Sequence, residues 1–579
     1  MVRNQIIDLL KKAAGDDAMA DILVPEIEAL GHYSTNVAMR LAKAQGKKPM
    51  DLAGEITEKL RASAPAGTFE KIKTAAPGFI NFWLSKETIQ KEFEAIVGDR
   101  SFGLNETMKG KMVMVEYTDP NPFKLFHIGH LMTNTIGESF ARLYEATGAK
   151  VRRANYYGDV GLHIAKSVWG MKQLASETPR ENESPVKKVD FLGKAYACGS
   201  RAYEEKAEAK EEIVAINKKI YERSDEAINK LYDAGLAWSL AYFETVYKRL
   251  GTKFDDYFPE STIGDEGLAL VRSRTDIFKE SDGAVIFPGE QYGLHTRVFV
   301  NSQGLPTYEA KELGLNKKKF EMYPLNLSII VTANEINEYF KVLLKAMELV
   351  LPEVAAKTRH ASHGMLRLPS GKMSSRTGNI TTADSLLGDI KAKLTEHVSE
   401  KSDLDASERE AVTEIIAVGA IKYSILKQAP GQDIVFDFEK SLSVHGDSGP
   451  YLQYTYARLK SILRKSKVST EGGSASGGEN PKSKASPESL DSETELALMR
   501  KLFDFPDIVA NAGKRLAPNL LATYLHQLAM VANHFYESTP ILKDENTERM
   551  NARLSLVETV ARILKSGLNL LGIRSPEKI

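Results

Sequence analysis

The chain has 579 residues, 42% hydrophobic and 27% charged, too long for one core, so three or four units of ordinary soluble composition are predicted. Its 77 Lys and Arg balance its 77 Asp and Glu, which excludes a global pull toward polyanions and leaves any nucleic-acid surface to a local patch. The lone Cys198 excludes an internal disulfide and a cysteine-rich zinc site, and reads as a packing residue in a reducing compartment.

Met1 to Lys12 is a charged amphipathic pattern carrying Ile6, Ile7, Leu9 and Leu10. It lacks the apolar run and cleavage site of a signal peptide, and no stretch reaches 18 apolar residues, so a cytoplasmic chain without membrane contact is expected. Residues 1–105 read as a separate α+β module. That helix is followed by a helical segment, Asn36–Lys43, and then by Ala76–Leu84, which alternates like a half-buried strand with Phe79 and Asn81 opposite Ile80 and Phe82. Aromatics beside Asn81 suit base stacking; a strand packing its own small core is an equal reading.

From Lys111 the order is strand, helix, strand: Met112–Tyr117, His130–Ala146 stopped by Gly148, and Val151–Tyr156. Ile136, Phe140 and Leu143 share one helical face, as a helix covering a parallel sheet requires, and a right-handed βαβ unit is predicted. Residues from about 165 to 250 are long, charged and helical, Glu204–Lys218 most clearly. They split a nucleotide fold that resumes with strand-like runs at Ala284–Val300 and Leu327–Thr332 and a helix at Tyr339–Leu351. Lys465–Glu493 is Gly, Ser, Pro, Lys and Glu with almost nothing apolar, which predicts a solvated, disordered loop. Beyond it, Leu554, Val557, Val560, Leu564 and Leu568 mark a helix-bundle face.

Between the first strand and its helix stand Asp119-Pro120-Asn121, Lys124 and His127-Ile128-Gly129-His130. A helix N-terminus offers free amides to phosphate, and His127 and His130 add directed donors for charge developing at the α-phosphate of ATP. Gly129 lets adenine or ribose approach the backbone. Far downstream, Ser370–Asn379 is polar and glycine-rich, a mobile loop in which Lys372 would meet the β- and γ-phosphates and Ser374 and Ser375 would donate hydrogen bonds. Alone, that segment reads as a solvated basic loop. Behind the histidines it points to adenylate chemistry.

These two signatures resemble those of the class I aminoacyl-tRNA synthetases, and nearly the whole chain resembles the arginyl-tRNA synthetase family. The matching strings, in order, are Glu116–Asn121, Asn155–Gly161, Gly449–Tyr454 with Ala457-Arg458, and Gly567–Ile573. The resemblance implies a multidomain α/β and α protein: an additional tRNA-binding α+β domain at 1–105 and a Rossmann-like catalytic domain at 110–385 with a helical insertion at about 165–280. A connecting helical region at 386–448 and a helical anticodon-binding domain at 449–579, with a flexible loop at 466–492, would follow. It implies that ATP, with Mg2+, and L-arginine give arginyl-adenylate and pyrophosphate, and that the arginyl group passes to the 3′-terminal adenosine of tRNA-Arg. No zinc is implied, and a monomer is the default expectation.

By the same resemblance, ATP would lie against His127, Gly129, His130, Lys372, Met373, Ser374 and Ser375. Lys124 would supply the charge that the second signature lacks where Arg376 or its neighbour replaces a lysine. Arginine would meet Glu116, Asn121, Tyr308 and Glu312, the last two one helical turn apart. The tRNA would meet Phe79, Asn81 and Phe82 at one end and Lys514, Arg515, Tyr536 and Arg553 at the other. Two positions depart from the family. Glu312 stands where many relatives have aspartate, and Ile336 where many have glutamine, so that contact would fall to Asn334 or Asn337. Three rivals are weighed against this reading. A nucleotidyltransferase using the histidines alone would be one compact domain. A catalytically idle tRNA-binding protein of synthetase descent would have lost one of His127, His130 or Lys372. A class I synthetase for lysine is the nearest competitor by substrate.

Overall fold

The computed structural model describes residues 2–15, 22–25, 27–367, 382–397, 404–471 and 487–579. Its centre is a five-stranded parallel sheet ordered Thr358–His363, Leu327–Ala333, Met112–Glu116, Lys150–Tyr157, Asp256–Pro259. Val113, Met114 and Val115 are fully buried, as both faces of a helix-covered parallel strand must be. The chain first builds outward on one side of Met112–Glu116, then returns to add Leu327–Ala333 on the other. The strand order therefore reverses beside Glu116, and in open α/β sheets the crevice at such a switch point is where ligands bind.

The edge strand Asp256–Pro259 corrects the expected helical insertion at 165–280. The helices Leu162–Gln173, Pro185–Glu205, Ala207–Glu222 and Glu226–Leu250 end before it, and it pairs in register with Ala154–Tyr157. Four residues ending in proline carry too weak a pattern to read as a strand, and only an edge tolerates that proline. A three-stranded antiparallel sheet follows: Lys279–Ser281, Ala284–Phe287 and Arg297–Val300.

The helix Ile128–Ala146 behind the central strand is buried nearly all round. Phe140 packs into the core of the catalytic sheet, but Leu143 enters the core of the C-terminal bundle. One predicted face thus serves two cores. Gly137 lets this helix press on the sheet, since a Cβ there would lie 2.2 Å from Cγ of Tyr117.

The N-terminal module pairs Ile22–Leu23, Tyr33–Thr35, Phe79–Leu84 and Phe69–Ala75 into an antiparallel sheet. The helix Val2–Ala14 buries Ile6, Leu9 and Leu10. The connecting region holds the helices Ala383–His397, Ala406–Leu426 and Phe438–Leu442. The bundle comprises Gly449–Glu471, Glu493–Phe503, Phe505–Arg515, Pro518–Ser538 and Thr547–Leu570. The first of these runs to Glu471, into the expected loop at 466–492, while Pro487–Ser489 forms a short 3-10 turn; residues 472–486 lie outside the described residues. The module and the bundle share one apolar core. Their seam carries Arg3–Asp507 at 2.9 Å, a hydrogen bond from Gln90 Nε2 to the Leu490 carbonyl at 2.9 Å, and Phe102 against Phe505. No helix among the described residues is long and apolar enough to cross a membrane.

Candidate active site

The loop that leaves Glu116 for the helix holds three non-glycine residues in the left-handed region: Thr118 (φ 82°), Asp119 (φ 45°) and Phe123 (φ 65°). Such conformations cost on the order of 1–3 kcal/mol each and persist where surrounding bonds enforce them. Here Asn134 Nδ2 donates to Thr118 Oγ1 (3.0 Å), the Tyr156 amide to Asp119 Oδ1 (3.1 Å) and the Phe123 amide to Ser239 Oγ (2.9 Å).

That loop delivers His127 as the N-cap of Ile128–Ala146. His127 Nδ1 accepts from the Gly129 amide at 3.1 Å, and His130 Nδ1 accepts from the His127 amide at 3.3 Å. A ring nitrogen that accepts carries no proton, so both neutral imidazoles bear hydrogen on Nε2. Burial, then the charge of Lys124, lowers His127 to about 4. Burial, then His127 and Lys124, holds His130 well below its ordinary value. The rings stack with centroids 3.6 Å apart, forming a pair of neutral Nε2–H donors at a helix N-terminus. Gly129 has a nearer role than ligand clearance: a Cβ there would come within 2.9 Å of the His127 ring. Lys124 reaches across to Tyr196 of the insertion, its ammonium 4.8 Å from the ring centroid.

Lys372, Met373, Ser374 and Ser375 lie outside the described residues. Where description resumes, Thr382 forms an antiparallel bridge with His127 and the Ala383 amide donates to the Phe126 carbonyl at 3.0 Å. The chain downstream of the second signature is thus stitched to the first.

Beyond the histidines a cavity of about 350 Å3 opens at the switch point, lined by Glu116, Asp119, Tyr156, Tyr308, Glu312, Ile336 and Tyr339 among others. Burial, then the charge of Glu116, pushes Glu312 up to about 8. The same two causes, in that order, raise Asp119 well above the carboxylate range. Carboxyl groups that desolvation keeps from ionising complement an incoming cation, which restores their charge. Tyr308 and Glu312 share the helix Tyr308–Met322 and both reach this cavity.

Asn121 does not line the cavity. Its Oδ1 and Glu260 Oε2 close over Gly158 instead, 3.0 and 3.1 Å from where a Cβ would sit. Ile336 does line it, 41% exposed, whereas neither Asn334 nor Asn337 does, so among the described residues no amide side chain stands on that wall in place of the expected glutamine. The sequence gives no role to Asp119 or Tyr156 and does not single out the buried Lys311–Glu260 ion pair or Lys319, whose ammonium lies 2.6 Å from Glu116. The spacing of Tyr308, Glu312, Asn316 and Lys319 by fours and threes was the available signal for the last.

Three of the expected tRNA contacts are corrected. Phe82 is fully buried, and Asn81 is covered as it accepts a hydrogen bond from Ser34 Oγ at 2.6 Å. Phe79 is half-buried, and the neighbouring Trp83 carries the Lys71 ammonium 4.2 Å from its ring. Arg553 is buried between Glu495 (2.6 Å) and Asp544 (2.5 Å). Its charge is spent inside the bundle. Arg553→Ala is therefore expected to cost about 3–5 kcal/mol of stability in denaturant unfolding, because Glu495 loses its buried partner, with no change in RNA affinity of the folded protein. Tyr536 is exposed, with the Arg458 guanidinium 5.6 Å from its ring, and the two line a cavity of about 300 Å3 with Lys465 and Lys543. Lys514 and Arg515 are exposed at the end of their helix.

Three family models match the chain: the N-terminal domain of arginyl-tRNA synthetase at residues 1–84, the class I (R) tRNA synthetase catalytic domain at 93–438 and the DALR anticodon binding domain at 452–579. An arginine–tRNA ligase of Parabacteroides distasonis is 32% identical over 607 aligned positions, covering 100% of this chain and 99% of that one. An arginine–tRNA ligase of Fusobacterium nucleatum is 32% identical, covering 96% and 94%. The solved arginyl-tRNA synthetase of Thermus thermophilus superposes with a TM-score of 0.81 over the full length of both chains at 24% identity, and so shares the fold. With the parallel sheet, the histidine-capped helix, the N-terminal module and the helical C-terminal domain all in place, the chain belongs to the arginyl-tRNA synthetases.

Proposed function

We propose that this chain joins L-arginine to tRNA-Arg at the cavity beside Glu116, with ATP bound across the N-terminus of Ile128–Ala146. The arginine carboxylate attacks the α-phosphorus, a phosphoric–carboxylic anhydride forms and pyrophosphate leaves. The Nε2–H groups of His127 and His130, with the Lys124 ammonium, meet the charge that grows on the phosphoryl oxygens. The 2′-hydroxyl of the terminal adenosine then attacks the carbonyl carbon, releasing AMP. Lys372 to Ser375 complete the phosphate site in this reading, and Mg2+ enters with ATP.

The observation that carries the proposal is the presence of two proton-fixed imidazoles and a carboxyl-rich cavity beyond the carboxyl end of the same central strand. Tyr308 and Glu312 take the guanidinium, whose planar donors suit a carboxylate bidentately. Tyr536 and Arg458 offer a ring and a cation to the tRNA at the far end. Aminoacylation of an unfractionated tRNA pool with ATP and either arginine or lysine tests the reading. Charging with arginine alone is expected. Charging with lysine moves the substrate assignment, and tRNA binding without charging leaves the idle reading.

A further inference from the structure

Lys319 is fully buried, its ammonium 2.6 Å from Oε2 of Glu116, a side chain that is itself 1% exposed. Among the described residues neither atom has a hydrogen-bond partner, so this ion pair is what each is left with. Isolated in a core, each charge would be costly; together they are tolerable only as a closed pair. Lys319 belongs to the helix that supplies Tyr308 and Glu312 to the cavity, and Asn316, one turn before it, bonds Glu312 through Nδ2. Its partner ends the central strand at the switch point and lines the same cavity. The ammonium thus ties the sheet to the helix directly behind the two carboxyl groups assigned to arginine, without itself lining the cavity.

We propose that Lys319 is a positioning and specificity-determining residue for arginine. It engages one oxygen of Glu116 from behind, holds that side chain in place at the cavity wall, and so leaves Glu312 as the carboxyl group that the substrate cation must complete. The pocket then takes one cation and holds it between two fixed walls. The proposal rests on the arginine-site reading above. It differs from a purely structural ion pair in one respect: its loss acts on arginine and on no other substrate.

The test is a cycle of Lys319→Met, Glu116→Gln and the double variant, with Lys319→Arg as the conservative replacement, assayed by aminoacylation with arginine, ATP and tRNA varied in turn. Lys319→Met is expected to raise the arginine KM about tenfold or more while the ATP and tRNA KM values stay within about twofold, and Lys319→Arg to restore most of the loss. The double variant is expected to bind arginine no worse than Glu116→Gln alone, because Lys319 acts through Glu116. If Lys319→Met or Glu116→Gln does not fold, the double variant and Lys319→Arg carry the test, since neither leaves a buried charge unpaired: an arginine KM raised about tenfold or more in the double variant and near the wild-type value in Lys319→Arg is expected, and an unchanged arginine KM in the double variant overturns the proposal. Effects that multiply in the double variant, or a Lys319→Met protein with an unchanged arginine KM, overturn the proposal. An unchanged arginine KM in Glu116→Gln as well overturns the arginine-site reading itself.

Discussion

His130→Ala is expected to slow arginyl-adenylate formation by about 10²–10³-fold, the usual loss when one preorganised donor to a developing charge is removed. The KM for arginine should stay near the wild-type value, because His130 stands at the helix N-terminus and does not line the carboxyl-rich cavity. Arginine-dependent pyrophosphate exchange in the presence of tRNA reads the step directly. His127→Ala is expected to be at least as slow and also less stable by about 1 kcal/mol, since that ring caps the helix as well. The low values of both imidazoles have a second consequence. At saturating arginine the rate should show no inflection near pH 6.5, where an ordinary histidine titrates.

Glu312→Gln is expected to weaken arginine by about 2–5 kcal/mol, roughly 30-fold to several thousand-fold, the range for removing one partner of a buried charge pair. The pH dependence is the sharper signature. In the free protein Glu312 stays protonated until about pH 8, and a guanidinium beside it favours the ionised form, so binding releases a proton. The arginine KM of the wild type should therefore fall about tenfold per unit as pH rises from 6 to 8, then level off. The groups that face Glu312 are Glu116, Lys319, Glu260 and Asn316, with Asp119 across the same cavity; of these, Glu116 and Lys319 are already paired with each other. Glu312→Gln should flatten the profile. Calorimetry in two buffers of different ionisation enthalpy counts the proton: about one more released by the wild type than by the variant at pH 7 supports the assignment, and equal counts sink it.

The parts of this molecule that were legible in the sequence are those built from local pattern. The central strand, the histidine-led helix and the bundle face of Val557, Val560, Leu564 and Leu568 all announce themselves by spacing, and the structure buries these residues. What was not legible depends on partners far apart in the chain. Arg553 looks like a phosphate ligand until Glu495 and Asp544 close on it, and Phe82 looks like a stacking surface until the module's core covers it. Lys319 stands in a run of three lysines, Lys317-Lys318-Lys319, that reads as a solvated face, and only helix phase sends the third inward to Glu116. Asp256–Pro259 is a strand only because Ala154–Tyr157 lies beside it. The loop conformations at Thr118, Asp119 and Phe123 carry no glycine to betray them.

The apolar core shared by the first hundred residues and the last hundred has a consequence for how the protein is made. Gln90 and the Leu490 carbonyl it bonds are separated by 400 residues of chain, and the face of the module that receives Phe505 cannot be covered until the bundle emerges. At about 5–20 residues per second, the ribosome needs on the order of 20–80 s to bridge that interval. Throughout it, the module waits with part of its interior in water, and the bundle that emerges some 400 residues later completes it.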